Sequence, residues 1–166
     1  MDIQLINKEL LKELHNKAVE SERLRMNFDQ RTTTENGSQR MLNALEPGTH
    51  VPIHCYLKTS ETVICFEGCL DWVFYEKFSR LANSNERPEV EWPNMDANGP
   101  VHDGDPSTGS GSETAVDESC FVKAAKFRVC PREGQYGIRV LLGIWHSIVV
   151  HEASTIMEAK DGTYGK

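Results

Sequence analysis

Apolar residues recur along this chain with two periods, a helical one near its beginning and a strand-like one over much of the rest. Apolar side chains recur at three- and four-residue spacing up to about Ser21, which predicts a helix over this stretch. Asn7 is the residue type expected at the N-cap of that helix. From 22 to 38 the pattern fades, and Asn36 with Gly37 predicts a tight turn. Apolar, β-branched and aromatic residues then predict strands over 39–45, 69–75, 121–129 and 136–142. The sequence therefore predicts a mainly β protein with an N-terminal helix, on which His15 is expected to be solvated.

The tract over 79–119 differs in composition from the strands on either side of it. It is polar and rich in Gly and Ser, so it cannot bury enough apolar surface to offset the entropy lost on ordering. Strand signals resume beyond it, and we therefore predict an insertion in a hairpin. The expected organisation is a helix and arm over 1–38 and one β domain over 39–166 that carries the insertion.

The stretch from Gly48 to Gly68 carries the first candidate chemistry. In an extended strand His54 and Tyr56 share a face, with Cα atoms roughly 6.6 Å apart. A turn after Tyr56 would let Glu61 open a second strand and face the same point. An imidazole and a carboxylate converging in this way suit Zn, Fe, Mn or Ni.

A second candidate is His146, which alternation places among aliphatic side chains of a late strand. Taken alone, a histidine in such a setting is more often a satisfied core residue than a ligand. His146 becomes a stronger candidate ligand when it is considered together with His54 and Glu61 of the stretch from Gly48 to Gly68.

These residues resemble the two motifs of the cupin superfamily. The first motif is matched by Gly48, His54-x-Tyr56, Glu61 and Gly68, which are separated in turn by five, four and six residues. Tyr56 stands where the second histidine of that motif is usual. Gly143-x-x-His146 resembles the end of the second motif. The resemblance implies a double-stranded β-helix (jelly-roll) barrel over 39–166, with the N-terminal helix packed outside it. It also implies a divalent transition metal held by His54, Glu61 and His146, with Tyr56 at the fourth position.

A closer resemblance is to the WbuC-type family of small cupin metalloproteins, whose genes accompany those of polysaccharide (O-antigen) biosynthesis. It rests on the run QRMLNALEPGT at 39–49 and on a tail that includes Glu158, Lys160 and Asp161. The resemblance implies a metal-binding barrel and, by analogy with cupins, a homodimer.

Two functions follow from these resemblances. In the first, the protein acts on a sugar or nucleotide-sugar: the metal polarises a hydroxyl or carbonyl, and Glu61 is a ligand or a base. Without a metal, Tyr56 and His146 would form a proton-transfer pair. Sugar- or phosphate-contacting groups would be Arg25, Arg40, Asn43 and Lys160. In the second, the barrel is a non-catalytic sugar-binding module with a degenerate metal site.

Charge and cysteine usage restrict the partners. Lys and Arg number 18 against 25 Asp and Glu, and the net charge of -7 argues against nucleic acid or an anionic membrane as a partner. The N-terminus lacks the features of a signal peptide, so a soluble cytoplasmic protein is expected. Five cysteines are interpreted as free thiols. Structural zinc at Cys65 and Cys69 is disfavoured, because Gly68 is expected to turn the chain between them.

Overall fold

The computed structural model describes residues 3–33, 36–77 and 121–162. They form a helix and six strands, with a short 3-10 helix at Pro131–Glu133: α1 (Lys8–Glu20), β1 (Arg25–Asp29), β2 (Ser38–Leu45), β3 (Glu61–Lys77), β4 (Phe121–Val129), β5 (Gly137–Val140) and β6 (Trp145–Asp161). The sheet is antiparallel in the order β1-β2-β6-β3-β4, and β5 also pairs with β3. The mainly β fold class with an N-terminal helix is confirmed. The predicted insertion over 79–119 lies outside the described residues.

The paired strands β3 and β6 form a ribbon that curls until its two ends meet. Glu61 pairs with Lys160 at one end, and Phe74 pairs with His146 near the other. Along a straight strand these two pairs would be about 40 Å apart, at roughly 3.3 Å per residue. The Glu61 carboxylate nevertheless lies 2.7 Å from the His146 imidazole. The ribbon therefore closes on itself, which is the geometry of the predicted cupin-type barrel.

Gly68 lies where the ribbon bends. The β3–β6 register shifts three times between Cys65 and Leu70, as at β-bulges. Gly68 has φ +95°, and a Cβ atom there would lie 2.2 Å from the Ser154 hydroxyl and 2.4 Å from the Ala153 carbonyl oxygen. The expectation that Gly68 turns the chain is wrong: β3 continues through it, because backbone hydrogen bonds to β6 resume on both sides of the bulges.

The prediction of a strand through His54 and Tyr56 is also wrong. Only His54 pairs in the manner of a strand, exchanging N–H···O bonds of 3.0 and 2.8 Å with His146. Pro52 lacks a backbone N–H, so the segment cannot continue this ladder toward its N-terminal side. The segment before β3 is thus an irregular strap, joined to β6 by the His54–His146 bridge and by the hydrogen bond from the Ser147 hydroxyl to the Val51 carbonyl oxygen at 2.7 Å.

The helix α1 covers the outer face of the sheet. Asn7 caps it by accepting a hydrogen bond from the Leu10 N–H at 3.1 Å, as expected from the sequence. Its buried Leu14 and Ala18 pack against the outward side chains of β2. The described residues contain no helix of the length and apolar character needed to span a bilayer.

Two expectations for the N-terminal region are corrected. His15 is not a solvated side chain: it bonds Glu46 at 2.6 Å and Thr155 at 2.9 Å, and so ties the helix to the sheet. The faded pattern from 22 to 38 contains a strand, β1, whose Met26 and Phe28 pack under α1. Its five residues are too few to show a clear alternation in sequence.

Asp71 is a buried carboxylate that connects three strands. It accepts from Arg128 on β4 at 2.9 Å and contacts Lys126 at 3.0 Å and His151 on β6 at 2.8 Å. Burial raises the pKa of Asp71, but these three cationic partners outweigh burial and hold the pKa well below its usual range.

We expect Asp71→Asn to lower the free energy of unfolding by about 1–3 kcal/mol at pH 7, because Arg128 and Lys126 lose a buried anionic partner and His151 loses its carboxylate contact. The folded pKa of Asp71 is depressed, so its stabilisation is present above the unfolded pKa of about 3.9 and is lost as the pH falls below it. Urea unfolding at pH 7 and pH 3 should therefore show a difference between wild type and variant that shrinks in acid. Glu152→Gln, which removes a surface partner of Arg132, is the control and should change stability little.

Candidate functional site

The strand registers sort the predicted site residues between the two faces of the sheet. Side chains of directly paired residues share a face, so Glu61 and Lys160 point the same way, into the barrel beside Val63. Asn43 lies on that interior face of β2, and Arg25 pairs with Leu45 on the same face. Arg40 alternates to the outer face, with Leu42 and Ala44, which α1 covers.

Both site histidines are held in one tautomer by the backbone. The Nδ1 atom of His146 lies 2.9 Å from the Ile144 carbonyl oxygen, and that of His54 lies 2.9 Å from the Pro52 carbonyl oxygen. A carbonyl oxygen only accepts, so Nδ1 must donate in each contact. In a neutral imidazole Nε2 is then the unprotonated nitrogen, and a carbonyl bonded to Nδ1 in this way orients a histidine to bind a metal through Nε2.

The contact between Glu61 and His146 is the most unusual feature of the interior. Glu61 is 3% exposed and His146 is 1% exposed, and their Oε1 and Nε2 atoms lie 2.7 Å apart. Despite this distance, neither atom has a hydrogen bond of acceptable geometry. The Ile144 contact leaves Nε2 facing the carboxylate, so with a neutral imidazole two buried lone pairs would face each other. Such an arrangement is costly unless a cation joins them.

His54 and Tyr56 lie beside this pair without completing it. The ring centroids are 4.4 Å apart for His54 and His146, and 6.2 Å apart for Tyr56 and His146. The ligand atoms of His54, Glu61 and His146 do not all lie within 4.8 Å of one another; among the described residues, only Cys69, Cys130 and Glu133 meet that distance. The predicted ligands therefore share one neighbourhood, in which the Oε1 atom of Glu61 and the Nε2 atom of His146 lie 2.7 Å apart.

Lys160 lies against Tyr56. Its ammonium nitrogen is 3.5 Å from the centroid of the Tyr56 ring, a cation–π contact at the edge of the site. Lys160, a predicted sugar-contacting group, therefore lies beside Tyr56, the residue predicted at the fourth ligand position.

Glu158 is an interior carboxyl that the sequence interpretation did not assign to the site. It receives hydrogen bonds from Gln39 at 2.9 Å and from Asn43 at 3.3 Å. Burial, and next the negative charge of Glu61, raise the pKa of Glu158 to about 7. Its spacing of two residues from Lys160 was the available signal, because on a strand such as β6 this spacing puts both side chains on one face.

Further polar atoms in the buried interior lack partners. Trp72 is stacked near His146, with ring centroids 6.4 Å apart, and its indole N–H makes no hydrogen bond. The Gln39 side-chain carbonyl oxygen is also unpaired. Unsatisfied buried groups of this kind are uncommon in folded proteins, and these two belong to the same barrel interior as Glu61 and His146.

Comparison with known sequences gives a family match without a described function. A family model described as a domain of unknown function (DUF6016) matches residues 6–86. No curated protein matches the chain. The resemblance to the WbuC-type family stays a prediction.

Several solved structures are similar in fold. Escherichia coli ycfD is 16% identical with a TM-score of 0.43, over 77% of this chain and 26% of that one. The L-ribose isomerase of Cellulomonas parahominis is 11% identical with a TM-score of 0.45, over 84% and 62%. The capsular polysaccharide assembling protein CapF of Staphylococcus aureus is 12% identical with a TM-score of 0.46, over 87% and 27%. This chain thus spans less than two thirds of each, and such distant similarity transfers no activity or substrate.

We expect Glu61→Gln to stabilise the metal-free protein by about 1–2 kcal/mol, because an amide N–H can donate to the His146 Nε2 atom where a carboxylate cannot. Thermal unfolding in the presence of a chelator measures this effect. Glu67→Gln, on the same strand but with a half-exposed side chain, is the control and should change little. A destabilised Glu61→Gln protein would mean that the pair shares a proton as an ion pair, which contradicts the assignment of the tautomer.

Proposed function

We propose that the barrel interior binds a divalent transition metal at Glu61 and His146, beside His54 and Tyr56, and acts on a sugar-like small molecule. The observation that carries the proposal is the buried contact of Oε1 and Nε2 at 2.7 Å, in which neither atom has a hydrogen bond of acceptable geometry. Carboxylate and imidazole donors of this kind suit Zn, Fe, Mn or Ni. Such an ion would supply Lewis acidity toward a hydroxyl or carbonyl oxygen of the ligand.

The residues around this centre support proton transfer next to a carbonyl, the chemistry of sugar isomerases and epimerases. Glu158, with its pKa raised to about 7, can both hold and release a proton near neutral pH. Gln39 and Asn43 fix its two oxygens, so the carboxyl keeps one orientation. The unpaired Trp72 N–H and Gln39 carbonyl oxygen provide one donor and one acceptor for ligand hydroxyls.

The alternative is a sugar-binding module without turnover. The cation–π contact of Lys160 with Tyr56 supports it, because the contact holds an ammonium donor and an aromatic ring side by side, and both groups can bind a sugar without turnover. In this case the interior recognises a ligand and the metal, if bound, is structural.

Metal content tests the centre itself. Protein purified without chelators is expected to carry one transition-metal ion at the barrel centre, and His146→Ala should lose it, because one of the two contacting ligands is removed. His151→Ala, which removes a histidine bonded to Asp71 outside the proposed site, should retain it. Elemental analysis of the three proteins provides the measurement. Equal metal content in wild type and His146→Ala would overturn the proposed centre.

Deuterium exchange distinguishes the enzyme from the module. In D2O, wild-type protein is expected to exchange a carbon-bound hydrogen of a sugar or nucleotide-sugar that raises its Tm, and NMR of the ligand detects the exchange. Glu158→Gln should abolish the exchange but keep most of the Tm shift, since an amide cannot take up the proton. A ligand that stabilises wild-type protein with no exchange would establish the module.

A further inference from the structure

A second cluster of metal-ligating side chains lies outside the proposed centre. The β3–β4 register pairs Leu70 with Val129, so the next residues, Cys69 and Cys130, stand opposite each other at the end of that ladder. Both carry free thiols, and they are 3% and 0% exposed. The two sulfur atoms and a carboxylate oxygen of Glu133 all lie within 4.8 Å of one another.

The turn after β4 brings Glu133 back to Cys130. The Glu133 N–H donates to the Cys130 carbonyl oxygen at 2.9 Å, and Gly134 adopts a left-handed conformation with φ +81°. Cys130 and Gln135 then exchange backbone hydrogen bonds of 2.8 and 3.2 Å. Pro131 fixes the first residue of the turn. The three side chains are therefore positioned by backbone hydrogen bonds, not by a flexible loop.

We propose that Cys69, Cys130 and Glu133 form a second site that binds a thiophilic divalent ion of the zinc class. Cysteine sulfur and carboxylate oxygen are both ordinary zinc ligands, and three protein ligands leave a fourth position for water. Glu133 is exposed, so an ion can reach the two buried sulfurs past its carboxylate. The sequence spacing could not reveal the site, because its two cysteines are separated by the whole 79–119 tract.

Charge balance supports a metal at this position. Two thiolates and a carboxylate around a divalent ion leave one net negative charge. Arg128 interacts electrostatically with Cys69 and Glu133, and Arg132 does so with Cys69 and Cys130. These guanidinium groups offset the remaining charge. Binding requires both thiols to lose their protons, which pass to the solvent, so two protons are released for each ion bound.

A redox-active thiol pair is the less favourable interpretation. Burial, together with the hydrogen bond to Cys130, raises the pKa of the Cys69 thiol to about 11. A thiol that stays protonated reacts slowly with oxidants, whereas a bound metal ion deprotonates its thiol ligands outright.

Titration of the reduced, chelator-treated full chain with Cd2+ tests the site. We expect an ultraviolet thiolate-to-cadmium charge-transfer band that saturates at one ion per chain, accompanied by the release of two protons. The band reports sulfur ligands, so it is independent of the barrel centre and should persist in His146→Ala. Failure of one proposal therefore leaves the other standing.

Variants assign the ligands. Cys69→Ser and Cys130→Ser should each lose most of the band, and Glu133→Gln should weaken Cd2+ binding while keeping the band. Cys65→Ser is the matched control, since this third buried cysteine is also 3% exposed but is outside the cluster, and it should retain the band. If either serine variant fails to fold, the wild-type titration still decides. No band in the reduced wild-type protein, or equal loss in Cys65→Ser, would overturn the proposal.

Discussion

The curling of the β3–β6 ribbon is the constraint on which the rest of the structure depends. Glu61 and Phe74 lie far apart along one strand, yet the partner of Phe74, His146, contacts Glu61. Only a ribbon that turns back on itself can have both this strand pairing and this side-chain contact. Gly68 permits this, because any side chain there would overlap Ser154 on the paired strand. The backbone thus creates the site by bringing residues that are distant in sequence to one point.

The strap before β3 fixes this point from the other side. The bridge between His54 and His146, together with the hydrogen bond from the Ser147 hydroxyl to the Val51 carbonyl oxygen, holds the strap to β6. Each of the two histidines donates its Nδ1–H to a carbonyl oxygen two residues earlier. The orientation of the His146 ring is therefore set by local backbone geometry and not by the carboxylate, and its Nε2 atom faces Glu61.

Sequence patterns predicted the elements well and the pairing less well. Helix α1 was predictable because the N-cap at Asn7 and the helical periodicity after it are local properties of the sequence. Strands β2 and β4 were predictable because their strand-like pattern of apolar residues is also local. The strap, the bulge at Gly68 and the tie made by His15 depend on partners far along the chain, which no local pattern specifies. The resemblance to the cupin motifs, and not any local pattern, implied that Glu61 and His146 would lie close together. Glu158 needed the β2–β6 register, which sets Met41 opposite it and places Gln39 and Asn43 on the same face.

Two carboxylates buried in β3 show how function can be separated from stability. Asp71 is surrounded by Arg128, Lys126 and His151, so its charge is neutralised and three strands are joined. Glu61 is equally buried, but its Oε1 atom has no hydrogen bond of acceptable geometry. Burying a carboxylate oxygen without such a bond opposes folding, and the same strand shows that the fold is able to pair a carboxylate. The divalent ion that we propose at Glu61 and His146 would offset this cost.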